Sequence, residues 1–365
     1  MRIAVAMSGG VDSSVAALLL KEMGHEVIGL SMQLWDHSAD AGRTGRCCTL
    51  DDLSDARRVA WELEIRHYVL NLEEEFRRDV VKPFVAAYLD GDTPIPCSAC
   101  NTKVKFATLW DRARALGCEA VATGHYVRVE TDPTLGRAVL RKGLDPDKDQ
   151  SYFLYDLTPE QLAAARFPVG GLTKTQVRAH ARRAGLPTAD KEESQEICFV
   201  PRGTRAGQFV AGHAAGLGLA APPSAGPIED ASGARVGTHD GHFRFTIGQR
   251  RGLGVAASER LYVLSVDAAA NRVVVGPGRD LETSEAALSG VRFLSGRPDG
   301  PVRVAARVRH RAAEVPATVT PGVSGTARVL FDVPVRAVTP GQSCVFYDGD
   351  VVVGGGVIRR GAPGA

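Results

Sequence analysis

"AMSGGVDSSVAALLL" spans residues 6–20, and its reading decides the fold of the first half of the chain. It continues an apolar run, Ile3-Ala4-Val5-Ala6-Met7, of a length suited to a buried strand. After Ser8-Gly9-Gly10 the apolar residues Val11, Val15, Leu18 and Leu19 recur at the spacing of one helix face. A glycine turn between a strand and a helix aims backbone N–H groups and the positive helix end at one point, where phosphate is the expected occupant. The stretch is neither of the common phosphate loops. GxxxxGK[ST] requires a lysine after its second glycine, and this stretch has none before Lys21; GxGxxG is absent as well. SGGVDS instead supplies the hydroxyls of Ser8, Ser13 and Ser14 and the carboxylate of Asp12. A carboxylate facing a polyphosphate makes chemical sense when Mg²⁺ stands between them. A plain strand–turn–helix junction capped by Asp12 and Ser13 is the competing reading at this point.

Working outward, strand-like and helix-like segments alternate up to about residue 200. Residues 25–34 read as a strand, 53–63 as a helix, 65–70 as a strand, 76–89 and 104–116 as helices, and 120–123 as a short buried strand. This alternation predicts an α/β fold with a parallel sheet, whose ligands bind beyond the carboxyl ends of the strands, where SGGVDS would lie. Residues 211–227, rich in alanine, glycine and proline, read as a connection. Beyond them short strands and turns follow one another, including "HFRFTIGQ" and "VRVAARVRHR", which predicts a small β-rich domain and then a β-barrel.

The 365 residues suffice for two or three domains, and 44% apolar with 24% charged residues is an ordinary globular composition. The net charge of +2 neither demands nor excludes a nucleic-acid partner. Arg2 precedes apolar residues, but Ser8-Gly9-Gly10 and Asp12 interrupt them too early for a signal peptide. No apolar run approaches the length of a membrane span, so a cytoplasmic protein is expected. Its seven cysteines are then expected to be thiols, catalytic groups or ligands rather than a disulfide framework.

Cys118 and Cys344 sit in apolar segments and read as small core residues. The adjacent Cys47 and Cys48 cannot easily hold one metal together. Cys97 and Cys100 form a C-x-x-C in "TPIPCSACN", which alone allows half a zinc site, a redox pair or coincidence. A second C-x-x-C or a histidine pair at ligand spacing is missing, so no structural metal is expected. Cys198, in "KEESQEICFVP", taken alone reads as a core thiol.

Together these stretches resemble a known family. SGGVDSS after an N-terminal strand resembles the PP-loop of the ATP pyrophosphatases. Within that group PCSACNTKVKF at 96–106, ATGHY at 122–126, KDQSYFL at 148–154, SQEICFVP at 194–201 and FTIGQRRGLG at 245–254 resemble the tRNA-specific 2-thiouridylases, in family order. The resemblance implies a PP-loop domain over 1–205, a small central tRNA-contacting domain over 206–280 and a tRNA-binding β-barrel over 281–365. It implies that ATP adenylates the C2 oxygen of the wobble uridine in tRNAs for lysine, glutamate and glutamine, and that sulfur then displaces AMP. An amide-like oxygen leaves poorly and AMP leaves well, and a thiolate or persulfide is the apt nucleophile near neutral pH.

By the same resemblance Cys198 accepts a persulfide from a sulfur-carrier protein or a cysteine desulfurase. Cys100 then frees hydrosulfide from it, or the persulfide attacks the base directly; the first route leaves a transient Cys100–Cys198 disulfide. Ala6, Met7, Ser8, Gly9, Gly10, Val11, Asp12, Ser13, Met32 and Gly124 would hold ATP, with Mg²⁺ as its counter-ion. Ile95, Pro96, Cys97, His125, Lys148, Asp149, Gln150, Arg309, His310 and Gln342 would touch tRNA. The family commonly has Asn-Pro-Asp or Asn-Pro-Cys before the nucleophile; here Ile95-Pro96-Cys97 lacks the asparagine. With Cys97 present, Cys97, Cys100 and Cys198 could together ligate a [4Fe–4S] cluster. Nothing suggests an obligate oligomer, and a monomer is expected.

The RNA partner has a separate test in raw pattern. In "PVRVAARVRHR" Arg303, Arg307, Arg309 and Arg311 share one parity and Val302, Val304 and Val308 the other, as on a strand with one basic face. No acid occurs between Val302 and Ala313, so the row is expected to meet phosphates rather than only to blunt a sheet edge. Arg244, Arg250 and Arg251 add basic charge around FTIGQRRGLG. Two rivals remain. Another PP-loop enzyme, either an amidating or ligating synthetase or a tRNA thiolase acting elsewhere, would share the loop, and an amidating synthetase would not need Cys100 and Cys198. An RNA-binding protein with a relic loop would release no pyrophosphate.

Overall fold

A computed structural model describes residues 1–35, 50–132, 136–192, 197–201 and 203–361. The chain divides into two compact units, the first comprising 1–80, 97–203 and 350–352, the second 81–96, 204–349 and 353–365. Cys47 and Cys48 lie outside the described residues, as do Ser194-Gln195-Glu196. No described helix is long and apolar enough to cross a membrane.

In the first unit the opening stretch folds as read. The strand β1 (Arg2–Ala6) is buried almost throughout, and the helix α1 (Val11–Glu22) follows the glycine turn. Then come β2 (Glu26–Gln33), α2 (Leu50–Glu62), β3 (Arg66–Asn71), β4 (Ala120–Ala122), a hairpin β5 (Val127–Asp132) and β6 (Arg137–Lys142), and β7 (Ala165–Arg166). The order β3-β2-β1-β4-β7 is parallel at every pairing. Succession therefore reverses between β1 and β4, the switch point at which such sheets leave a crevice beyond the carboxyl ends of their strands. One apolar core, with Val15, Leu18, Val59 and Val177 among its members, packs helices onto this sheet.

Two expected helices are not regular. The segment expected over 76–89 is built from Glu73–Phe76, a π-helical stretch Arg77–Val81, and Lys82–Leu89, with Pro83 near the start of the last piece. Proline cannot donate to the preceding turn, and the wider stretch absorbs that loss. The helix expected from residue 104 begins earlier, as an α-helical turn Pro96–Ala99 that runs into a π-helical stretch Cys100–Thr108 continued by Leu109–Ala115.

The second unit is β-rich. Four strands, β8 (Gly226–Asp230), β9 (Arg235–His239), β10 (Leu261–Asp267) and β11 (Arg272–Pro277), form a sheet in the order β10-β11-β8-β9. A closed six-stranded barrel follows, from β12 (Glu282–Phe293), β13 (Val302–Arg307), β14 (Val315–Pro321), β15 (Ala327–Arg336), β16 (Ser343–Asp348) and β17 (Val351–Ile358). Its order is β12-β15-β14-β13-β16-β17, closed by β12 on β17. "HFRFTIGQ" is not a strand. His242 and Phe243 are both buried, which breaks strand alternation, and His242 is pinned in a 3₁₀ turn by Asn271 and the Leu89 carbonyl.

Candidate active site

The glycine turn after β1 is held by its own hydroxyls. Ser13 Oγ accepts from Ser8 N–H at 3.2 Å and donates to the Gly10 carbonyl at 3.1 Å. Ser14 Oγ donates to the same carbonyl at 2.8 Å and accepts from Thr188 Oγ1 at 3.0 Å. The side chains of Ala6, Met7, Val11, Ser13 and Met32 are buried. Around the turn it is therefore backbone N–H groups, the exposed Ser8 and the Asp12 carboxylate that are positioned to meet a ligand. Gly9 has φ +73°, and a β-carbon there would stand 2.2 Å from the Asp52 carbonyl oxygen. Gly124, just beyond β4, is needed for a different reason. A β-carbon there would lie 2.6 Å from both the Asp12 carbonyl carbon and the Ser13 nitrogen. The ATGHY turn and the SGGVDS turn thus meet backbone to backbone at the switch point.

Two lysines that local pattern did not reveal complete the loop. Lys174 Nζ donates to both Asp12 carboxylate oxygens, at 2.7 and 2.9 Å, and Tyr126 Oη donates to Oδ1 at 2.7 Å. Lys191 Nζ donates to the Gly9 carbonyl at 3.0 Å and to Asp52 at 2.7 Å, and also pairs with Asp55. Burial opposes the Lys191 charge, but the two carboxylates outweigh it and raise its pKa. The motif itself has no lysine, and the fold brings these two to it from far along the chain. A local signal existed for one of them. Lys174 is the first residue of the helix α3 (Lys174–Arg183), capped by Thr173 and Gln176, where a cation opposes the helix dipole.

The tRNA-facing residues expected in this unit lead back to the same loop. Gln150 Oε1 accepts from Tyr126 N–H at 3.0 Å, which fixes the tyrosine that holds Asp12. Asp149 is buried, and its carboxylate accepts from Gly143 N–H, Ser151 N–H and Ser151 Oγ, so it shapes its own turn. Lys148 is half-buried. His125 shares a 2.7 Å hydrogen bond between Nδ1 and Thr123 Oγ1 and meets Phe167 edge to face. Desolvation, aided by the nearby Lys105 ammonium, pushes its pKa well below the usual histidine range, so the imidazole is neutral.

Cys100 opens the π-helical stretch and is buried, whereas Cys97 is exposed. Asn101 Nδ2 donates to the Phe153 carbonyl at 3.1 Å, tying the Cys100 segment to the KDQSYFL block, and Gln161 Nε2 donates to the Thr102 carbonyl at 2.9 Å, tying it to the helical turn Pro159–Ala164. Cys198 is half-buried beside Phe199, a buried ring that meets Phe76 edge to face at 5.6 Å and Trp35 at 6.4 Å. No disulfide joins Cys97, Cys100, Cys118, Cys198 or Cys344. Among the described residues no three His, Cys, Asp or Glu side chains are placed to hold a metal ion. Cys344 is wholly buried, and its thiol is pushed up to about 12 by desolvation, while burial also raises Cys118.

In the second unit Pro96 is buried and Ile95 half-buried. Gln342 Nε2 donates to the Thr93 carbonyl at 2.6 Å, bracing the chain two residues before Ile95. Arg309 is exposed, donates to the Arg336 carbonyl, and neighbours the half-buried His310. The arginine row is corrected by the barrel. β13 ends at Arg307, so Arg309 and Arg311 lie beyond the strand. Arg303 is bound by both oxygens of Asp332 at 2.8 and 2.6 Å, and Arg307 by Glu314 at 2.6 Å while lying over the Tyr347 ring. The compensating acids, Asp332 and Glu314, lie outside residues 302–313. The valine parity holds, with Val304 and Val308 buried.

Comparison with known proteins gives three family matches: tRNA methyl transferase HUP domain over residues 1–202, tRNA methyl transferase PRC-barrel domain over 217–277, and Aminomethyltransferase beta-barrel domain over 283–358. A tRNA-specific 2-thiouridylase MnmA of Geotalea uraniireducens is 49% identical, covering 98% of this chain and 95% of that protein. The proteins of the same name from Acidobacterium capsulatum and Moorella thermoacetica are 48% and 49% identical, covering 98% and 97% of this chain and 98% of each relative.

Proposed function

The chain belongs to the family of tRNA-specific 2-thiouridylases, and we propose that it uses ATP to activate a tRNA uridine for replacement of its C2 oxygen by sulfur. The observation that carries this reading is the meeting of Gly124 with Asp12 and Ser13 at the switch point of the parallel sheet. A cradle of N–H groups and a carboxylate at that point supports a nucleotide polyphosphate as the ligand. Gly9, Gly10, Val11 and Ser13 offer backbone donors, and Asp12 is the residue suited to hold Mg²⁺ on the phosphates. Bound there, Mg²⁺ would neutralise charge on the polyphosphate. Lys174 already neutralises Asp12 and Lys191 braces the Gly9 carbonyl, so the loop keeps its form without either ligand.

The wobble uridine of tRNAs for lysine, glutamate and glutamine is the proposed acceptor. Its C2 oxygen attacks the α-phosphorus of ATP and pyrophosphate leaves. Cys198, the more accessible of the two thiols, takes a persulfide from a sulfur-carrier protein or cysteine desulfurase. The Cys100 thiolate attacks the Cys198 sulfur, hydrosulfide leaves, and a Cys100–Cys198 disulfide forms. Hydrosulfide displaces AMP at C2, and an external thiol reduces the disulfide. Burial of Cys100 supports its later entry, because it is sheltered from the donor. His125, Lys148 and Gln150, with Ile95, Pro96, Cys97, Arg309, His310 and Gln342, are the proposed tRNA contacts. Asp149 supports them through its turn. The division at about 205 and 280 and a monomeric, cytoplasmic enzyme complete the reading.

The test is nucleoside mass spectrometry of unmodified glutamate tRNA after incubation with Mg-ATP and a persulfide donor. Wobble 2-thiouridine should be made by the native chain and fall on the order of 10⁴-fold in Cys198→Ala, with pyrophosphate release retained. Pyrophosphate release without any 2-thiouridine from the native chain would overturn the assignment.

A further inference from the structure

A cavity of ≈ 550 Å³ in the first unit is used by none of the steps above. It lies between two edge strands, the outer side of β5 and the outer side of β7, with Phe167 on its wall. Phe167 also touches His125, so the cavity adjoins the crevice at the carboxyl end of the sheet.

Its charge is one-sided once the ion pairs are assigned. Arg128 and Arg141 share Glu130 and Asp350 in a four-membered network, two positive and two negative, which cancels. Arg137 and Arg166 are outside it. Arg166 gives one nitrogen to the carbonyls of Ala163 and Ala165, which fixes its place without neutralising it. Arg137 has a buried Nε with no hydrogen-bond partner. Asp132 is its register partner across the hairpin, yet no ion pair between them is formed among the described residues. A buried guanidinium nitrogen without an acceptor is costly, and an oxyanion relieves that cost. Arginines on strand edges also discourage pairing, but that role needs no cavity beside the charge.

We infer that this cavity seats a phosphodiester of the bound RNA beside the reacting nucleotide, held by Arg137 and Arg166. The inference rests on the proposed tRNA substrate and adds a backbone contact to it. Backbone contacts fix register on RNA while base contacts specify, so the site would position the anticodon strand without choosing among tRNAs.

The test is the salt dependence of unmodified tRNA binding to the full chain, for the native protein, Arg137→Gln and Arg137→Lys. One phosphate contact contributes a log–log slope of about 0.7 to 0.9, so its loss shrinks the affinity drop between about 50 and 200 mM salt by about threefold. Arg137→Gln should show that shrinkage with an unchanged unfolding midpoint, and Arg137→Lys should restore the native slope. A native slope in Arg137→Gln overturns the inference, as does protection by inorganic phosphate alone with the tRNA slope unchanged. If the native chain binds and thiolates tRNA while the slope is unmoved, the inference alone fails. If the native chain binds no tRNA, the proposed function fails with it.

Discussion

Asp12 in the first turn of α1 and Arg303 on β13 both stand out in the sequence as charged groups awaiting a ligand, and both are ion-paired in the fold. Asp12 is held by a lysine 162 positions away, with side-chain exposures of 30% and 12% for the pair. Arg303 is held by Asp332, 29 positions away, with exposures of 60% and 44%. Water sets the difference. An exposed pair is screened and worth little, while a pair drawn out of water is a commitment that leaves a stranded charge when one partner goes. The glycine turn has a built-in counter-ion drawn out of water; the barrel carries a surface pair that water screens.

The largest effect that could break this comparison is expected at Lys174. Lys174→Met keeps the stem and deletes the ammonium, leaving Asp12 with the Tyr126 hydroxyl. Urea unfolding should show a loss of about 2 kcal/mol, and ATP affinity should fall by roughly tenfold. Adding Asp12→Asn to Lys174→Met should recover most of that stability, because the stranded charge is gone. Equal stability of Lys174→Met and the native chain would mean the pair is decorative. The smallest effect is expected at the barrel. Arg303→Ala should leave both the unfolding midpoint and the tRNA salt slope unchanged. A slope change like that expected of Arg137→Gln would restore the arginine row as an RNA surface.

The same contrast explains what was legible in the sequence. The strand, glycine turn and helix of residues 2–22 are written locally, in apolar spacing and in the one backbone form that Gly9 must take. Parallel pairing follows from alternation, and the barrel from short strands. What escaped was whatever required a distant partner. Lys174 and Lys191 reach the loop only after the sheet has formed, and Asp332 and Glu314 reach the arginines only after β13 has paired. The π-helical stretch from Cys100 also escaped, since a run such as NTKVKF has no mark that separates a wide turn from an α-turn. Asp149, for which the resemblance implies a tRNA contact, also accepts three hydrogen bonds within its own turn, a structural part that the motif does not announce.

The central claim is that the loop spends ATP on the uridine oxygen itself, and an isotope settles it. A tRNA carrying ¹⁸O at C2 of the wobble uridine would be thiolated by the native chain with Mg-ATP and a persulfide donor, and the released AMP analysed by mass spectrometry. The account predicts one ¹⁸O in the AMP phosphate for each 2-thiouridine formed, because the displaced oxygen departs with AMP. AMP free of label alongside 2-thiouridine would show that ATP is cleaved by water elsewhere, and would contradict the account.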